Sequence, residues 1–73
     1  GDLLVVDKSL KPKNFSTVIA NVYDELVVKS LVQERDKKFL TSGSKEFTDR
    51  ILINEEQDIF IWGVVTYVIH STY

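Results

Sequence analysis

The chain has 73 residues and a mass of 8.4 kDa, room for one small domain, with a formal charge of −2 that argues against a surface tracking nucleic-acid phosphates. It has no cysteine and one histidine, His70, which excludes a disulfide scaffold, a Cys-ligated metal and a histidine metal cluster. No apolar run approaches the roughly 18–20 residues of a membrane helix, so the expectation is a cytoplasmic domain with no cofactor, metal, membrane or direct nucleic-acid contact, resting on its apolar core or on a partner chain.

The apolar residues arrive in short bursts rich in Val, Ile, Leu and aromatics. Leu3–Val6 is the first and reads as a strand. Lys11-Pro12-Lys13-Asn14 follows as a turn, because Pro12 has no backbone donor and biases Lys11 away from helix. Val18–Tyr23 is the second strand. Asp24-Glu25 reads as the tight turn of a hairpin into Leu26–Val28 and Leu31-Val32. Residues 29–38 could hold a helical turn or two, but the β-branched run before them argues for extended chain. Within that stretch Arg35-Asp36-Lys37-Lys38 comes nearest to a basic cluster, and Asp36 interrupts it. Phe39-Leu40 and Ile51–Ile53 are short strands, separated by a polar loop that begins Thr41-Ser42-Gly43-Ser44. Asn54–Asp58 is an acidic loop. The last segment, Ile59–Ile69, is apolar almost throughout, and Gly63 inside it suggests a bulge or a close backbone approach. The pattern predicts a mainly β single domain over residues 1–73, with about five to seven strands.

Among polar residues Lys29 stands out. In a strand it shares a face with Val27 and Leu31, while Leu26, Val28, Ser30 and Val32 occupy the other. Two roles fit such a lysine: a packed stem with its ammonium in water, or a desolvated amine able to act as a neutral base. A base needs a nucleophile. The hydroxyls run from Ser9 to Thr72, none lies in a Gly-x-Ser-x-Gly elbow, and Ser30 faces away from Lys29. Glu55-Glu56 reads as a solvated loop, His70 as a surface residue, and Phe60, Trp62, Tyr67 and Tyr73 as core or interface. The final strand has no clearly polar face, so it needs a cover that a second copy could supply.

Three segments carry a family resemblance. Gly1-Asp2-Leu3-Leu4-Val5-Val6-Asp7 resembles the Gly-Asp segment that closes on Val-Asp in LexA- and UmuD-type self-cleaving proteins. Asp24-Glu25-Leu26-Val27-Val28-Lys29-Ser30-Leu31 resembles their Gly-Glu segment ending in Val-Lys-basic-Leu, and Ile61–Ile69 resembles their closing strand built on aromatic-Gly-Val-Val. Order and spacing match across the chain, and the nearest likeness is to UmuD and its plasmid-borne relatives. The resemblance implies the LexA/UmuD C-terminal β fold, truncated at its N-terminal side, and a homodimer, which we expect to form through the Ile59–Ile69 strand. It implies a Ser–Lys autopeptidase in which the general base falls on Lys29. The family's serine, in a Ser-Met pair, lies upstream of Gly1, so this fragment should be inactive. For the parent protein the resemblance implies self-cleavage stimulated by the RecA filament on single-stranded DNA, then service as an accessory subunit of a translesion DNA polymerase. Two alternatives are the C-terminal domain of a LexA- or phage-type repressor, and a non-catalytic dimerising β module in which Lys29 is structural. The chain departs from the family pattern at Phe15-Ser16, where a Gly-Asp is usual, at Asp24, where the turn residue is Gly, and around Thr41-Ser42-Gly43, where Pro-x-Asn is common.

Overall fold

A computed structural model describes residues 2–42 and 50–70. The strands are β1 (Leu3–Asp7), β2 (Thr17–Val22), β3 (Glu25–Glu34), β4 (Lys37–Thr41), β5 (Ile51–Leu52) and β6 (Ile59–Ile69), with one 3-10 turn at Glu55–Gln57. All neighbours are antiparallel, in the order β1-β6-β2-β3-β4-β5. The mainly β reading holds, and β3 runs extended to Glu34 with no helical turn inside it.

Two tight turns set the centre of the sheet. Between β2 and β3 the turning residues are Tyr23 and Asp24, with φ of 49° and 69°. Glu25 is already paired with Val22, so the turn sits one residue earlier than the expected Asp24-Glu25. Two successive left-handed residues give a turn whose twist matches that of the flanking strands, and Asp tolerates that conformation better than most side chains. Between β3 and β4 the turn is Arg35-Asp36, Arg35 having φ 55°, and Glu34 pairs with Lys37.

The far end of the sheet returns to its middle. Ile53 N–H donates to Lys38 O at 3.0 Å, continuing the β4–β5 pairing. Asn54 and Ile59 then exchange two backbone hydrogen bonds of 3.0 Å each, so the chain leaving β5 returns through the 3-10 turn onto the start of β6 and the sheet rolls up. Val18, Ala20, Leu31, Leu40, Ile59 and Val64 form the core, with Val22, Val27, Ile51, Ile53 and Ile61 packed against it. Rolling matters because it lets one apolar face cover itself, each fully buried Leu or Val contributing about 1.5–3 kcal/mol.

The link from β1 to β2 is held by short-range hydrogen bonds. Asp7 Oδ1 accepts from Ser9 N–H at 2.8 Å and from Ser9 Oγ at 2.6 Å, and these bonds hold its carboxyl below the usual range. Further on, Phe15 N–H donates to Leu31 O at 2.7 Å, Leu31 N–H to Ser16 O at 2.9 Å and Gln33 N–H to Asn14 Oδ1 at 2.9 Å. Residues 14–16 thereby continue the edge of β2 along β3.

Strand β6 carries two irregularities. Its register with β2 skips Trp62, and its register with β1 skips Thr66. The irregularity expected at Gly63 is therefore present one residue away, and Gly63 itself is a point of close approach. A Cβ there would stand 2.5 Å from Val6 Cγ1.

Candidate functional site

Lys29 lies in β3 opposite Val18 of β2, on the face that Leu31, Leu40, Ala20 and Val27 share. The alternation that placed it beside Val27 and Leu31 is thus realised, on the inner face of the rolled sheet. The side chain is half-buried, a position between the two readings that spacing alone left open. Its Nζ donates to Ser42 Oγ at 2.9 Å. Ser42 comes directly after β4, one step beyond the Ser30–Thr41 pair, and the β3–β4 register puts it across from Lys29. Thr41, fully buried, anchors the backbone just before it.

Next to Lys29 is an open cleft of about 380 Å³, lined by Val22, Tyr23, Glu25, Val27, Lys29 and Ile51. It runs from the β2–β3 turn to the lysine. Val22, Val27 and Ile51 give it an aliphatic wall, beside the Tyr23 ring, the Glu25 carboxylate and the Lys29 amine. An amine on such a wall can accept a proton from a hydroxyl brought into the cleft, and the apolar walls can seat an extended peptide. Among the described residues no three His, Cys, Asp or Glu side chains come together as a metal site, and no helix is long and apolar enough to cross a membrane.

The other candidates fall elsewhere. Ser30 pairs with Thr17 and Thr41 and faces away from Lys29, as expected. Glu55 and Glu56 are exposed on the 3-10 turn, where Asn54 Oδ1 accepts from Glu56 N–H at 3.1 Å. His70 is exposed and has a neighbour the sequence did not suggest, its Nδ1 standing 3.2 Å from Asp2 Oδ2. Trp62 is stacked under Lys8, 4.4 Å from ring centre to Nζ, at a second cleft of about 290 Å³ that shares no residue with the Lys29 cleft. Ser44, Thr48, Ser71, Thr72 and Tyr73 lie outside the described residues.

Ser42 is the site residue that sequence reasoning missed. By sequence it reads as one of the loop hydroxyls. Recognising Arg35-Asp36 as a two-residue turn would have fixed the β3–β4 register and placed Ser42 against Lys29.

The family model described as Peptidase S24-like matches residues 1–66. The chain is 47% identical over 73 residues to Protein ImpA of Salmonella typhimurium, covering 99% of this chain and 48% of that protein. Protein ImpA of Escherichia coli matches with the same identity and coverage. Protein MucA of Escherichia coli is 37% identical over 67 residues, covering 92% of this chain and 45% of that protein. The chain spans about half the length of these relatives.

Proposed function

Because the chain belongs to the Peptidase S24-like family and is UmuD-like within it, we propose that Lys29 is the general base of a Ser–Lys self-cleavage reaction performed by the whole protein. One observation carries the reading: the lysine that matches the family's base projects from the inner face of β3 and lines a cleft that has an aliphatic wall. In this scheme the neutral amine takes the proton from a serine hydroxyl as Oγ attacks a carbonyl of the protein's own backbone. The resulting ammonium returns a proton to the departing amine, leaving an ester that water hydrolyses. The serine is the one that the resemblance puts upstream of Gly1. Val22, Val27 and Ile51 offer the apolar wall against which the cleaved segment lies.

The biological setting follows from the same resemblance. Cleavage is stimulated by a RecA filament on single-stranded DNA after DNA damage, and the processed protein serves a translesion DNA polymerase as an accessory subunit in the cytoplasm. Homodimerisation uses the end of β6. Among the described residues, pairing with β2 stops at Val64, and β1 is the strand neighbour of residues 65–69.

The test uses the protein extended upstream to include the Ser-Met pair. Incubated at alkaline pH or with an activated RecA filament, it should cleave itself. Lys29→Ala should slow cleavage by about 10²–10⁴-fold while circular dichroism shows an unchanged fold. Cleavage by Lys29→Ala at the parent rate would overturn the assignment.

A further inference from the structure

We propose that Ser42 is a positioning residue for Lys29, its hydroxyl oxygen accepting from Nζ to hold the amine at the mouth of the cleft. The proposal rests on the reading of Lys29 as the base and adds a second side chain to that site. Lysine is a poor base for geometric reasons as much as for its charge: its stem is flexible and its amine rotates freely. Proton transfer needs the nitrogen within about 2.6–3.2 Å of the hydroxyl it serves. The β3–β4 ladder supplies what the stem lacks. Thr41 is fully buried and paired with Ser30, so the next residue leaves the strand at a fixed place opposite Lys29. From there Ser42 Oγ reaches Nζ at 2.9 Å. Among the described residues Ser42 is the hydrogen-bond partner of that amine. One N–H committed to Ser42 restricts rotation about the Cε–Nζ bond of a side chain that lines the cleft.

The experiment compares Ser42→Ala, Ser42→Thr and Lys29→Ala in the upstream-extended protein, following self-cleavage at alkaline pH, with melting curves to confirm folding. Ser42→Ala should cleave about tenfold more slowly, the effect of one hydrogen bond, and Ser42→Thr, which keeps the hydroxyl, should recover most of the rate. In the 73-residue chain, acetylation with acetic anhydride, mapped by mass spectrometry, should modify Lys29 of Ser42→Ala faster than Lys29 of the parent, with Lys11 and Lys13 as internal references. Wild-type cleavage by Ser42→Ala beside an inactive Lys29→Ala overturns the positioning role and leaves the base in place. Loss in Ser42→Ala as deep as in Lys29→Ala, with no recovery in Ser42→Thr, overturns it too, since that is the behaviour of a nucleophile. If Lys29→Ala still cleaves, the reading of Lys29 falls and this inference falls with it.

Discussion

Phe15 sits with φ 70° and 68% of its surface in solvent. An L-residue in the left-handed region costs roughly 1–2 kcal/mol because Cβ crowds the following carbonyl. Nothing in its exposure offsets that, yet the conformation is required, since it brings Phe15 N–H and Ser16 O onto Leu31. The family pattern of Gly-Asp at this point thereby acquires a physical meaning: glycine is the residue that takes the conformation without strain. Phe15→Gly should raise stability by about 0.5–1 kcal/mol, the strain relieved less the extra entropy glycine loses on folding, and Phe15→Val should lower it. Thermal melting checks both, because about 1 kcal/mol moves Tm by roughly 4–8 °C in a domain of this size. Asp24, at φ 69° in the β2–β3 turn, should gain less from the same change, since aspartate enters this region more readily. A larger gain at Asp24 than at Phe15 would show that the exposed ring contributes contacts of its own. Both departures were visible in the sequence. Their cost was not, because it depends on a backbone angle that the residue names do not encode.

At the scale of the element, β6 shows what a mostly apolar strand must do to serve two neighbours. It pairs with β2 over Ile59–Val64 and with β1 over Val64–Ile69. The irregularities at Trp62 and Thr66 let the strand adjust its register to each. Thr66 Oγ1 donates to Val5 O at 3.3 Å, so its hydroxyl finds a backbone partner at the second irregularity. Gly63 lets β1 come close, and Gly63→Ala should cost about 1–3 kcal/mol through overlap with Val6. Val6→Ala in the same chain should recover part of that loss, and urea denaturation of the two single variants and the double variant measures the coupling. If the two changes simply add, the close approach is relieved by another route. The strands themselves were legible because β-branched and aromatic bursts separated by polar clusters have few other readings. The registers were less so. Arg35-Asp36 contains neither Gly nor Asn and reads as part of a charge run, although the chain turns there and Arg35 takes φ 55°. From that one turn follow the Leu31–Leu40 pair at the centre of the core and the meeting of Lys29 with Ser42. Lys29 could therefore be found from motif and alternation, whereas its partner could not.

At the scale of the molecule, the rolled sheet covers its own core, while among the described residues one end of it is exposed and apolar. Leu3 and Ile69 pair across the β1–β6 ribbon, as do Val5 and Tyr67, with Leu4 and Val68 paired between them. Successive residues of a strand alternate in face, so this end is apolar on both sides, and all six side chains are exposed, Tyr67 at 70% and Leu3 at 66%. An uncovered hydrophobic surface next to an incompletely paired strand is what a partner of the same kind can cover. This sharpens the expectation of a dimer through Ile59–Ile69: the half of β6 from Ile59 to Val64 is occupied by β2, so the expected surface for a second copy is residues 65–69 together with β1. Light scattering behind size exclusion should give twice the chain mass for the parent. Leu3→Lys combined with Tyr67→Lys should give a single chain that keeps its β circular dichroism, because both side chains point into solvent in the isolated fold and neither belongs to the core. A parent that stays a folded monomer at high concentration would sink the dimer. A double variant that unfolds as it dissociates would show that the bare end is part of the stability of the fold, and that this small core needs its neighbour to stand.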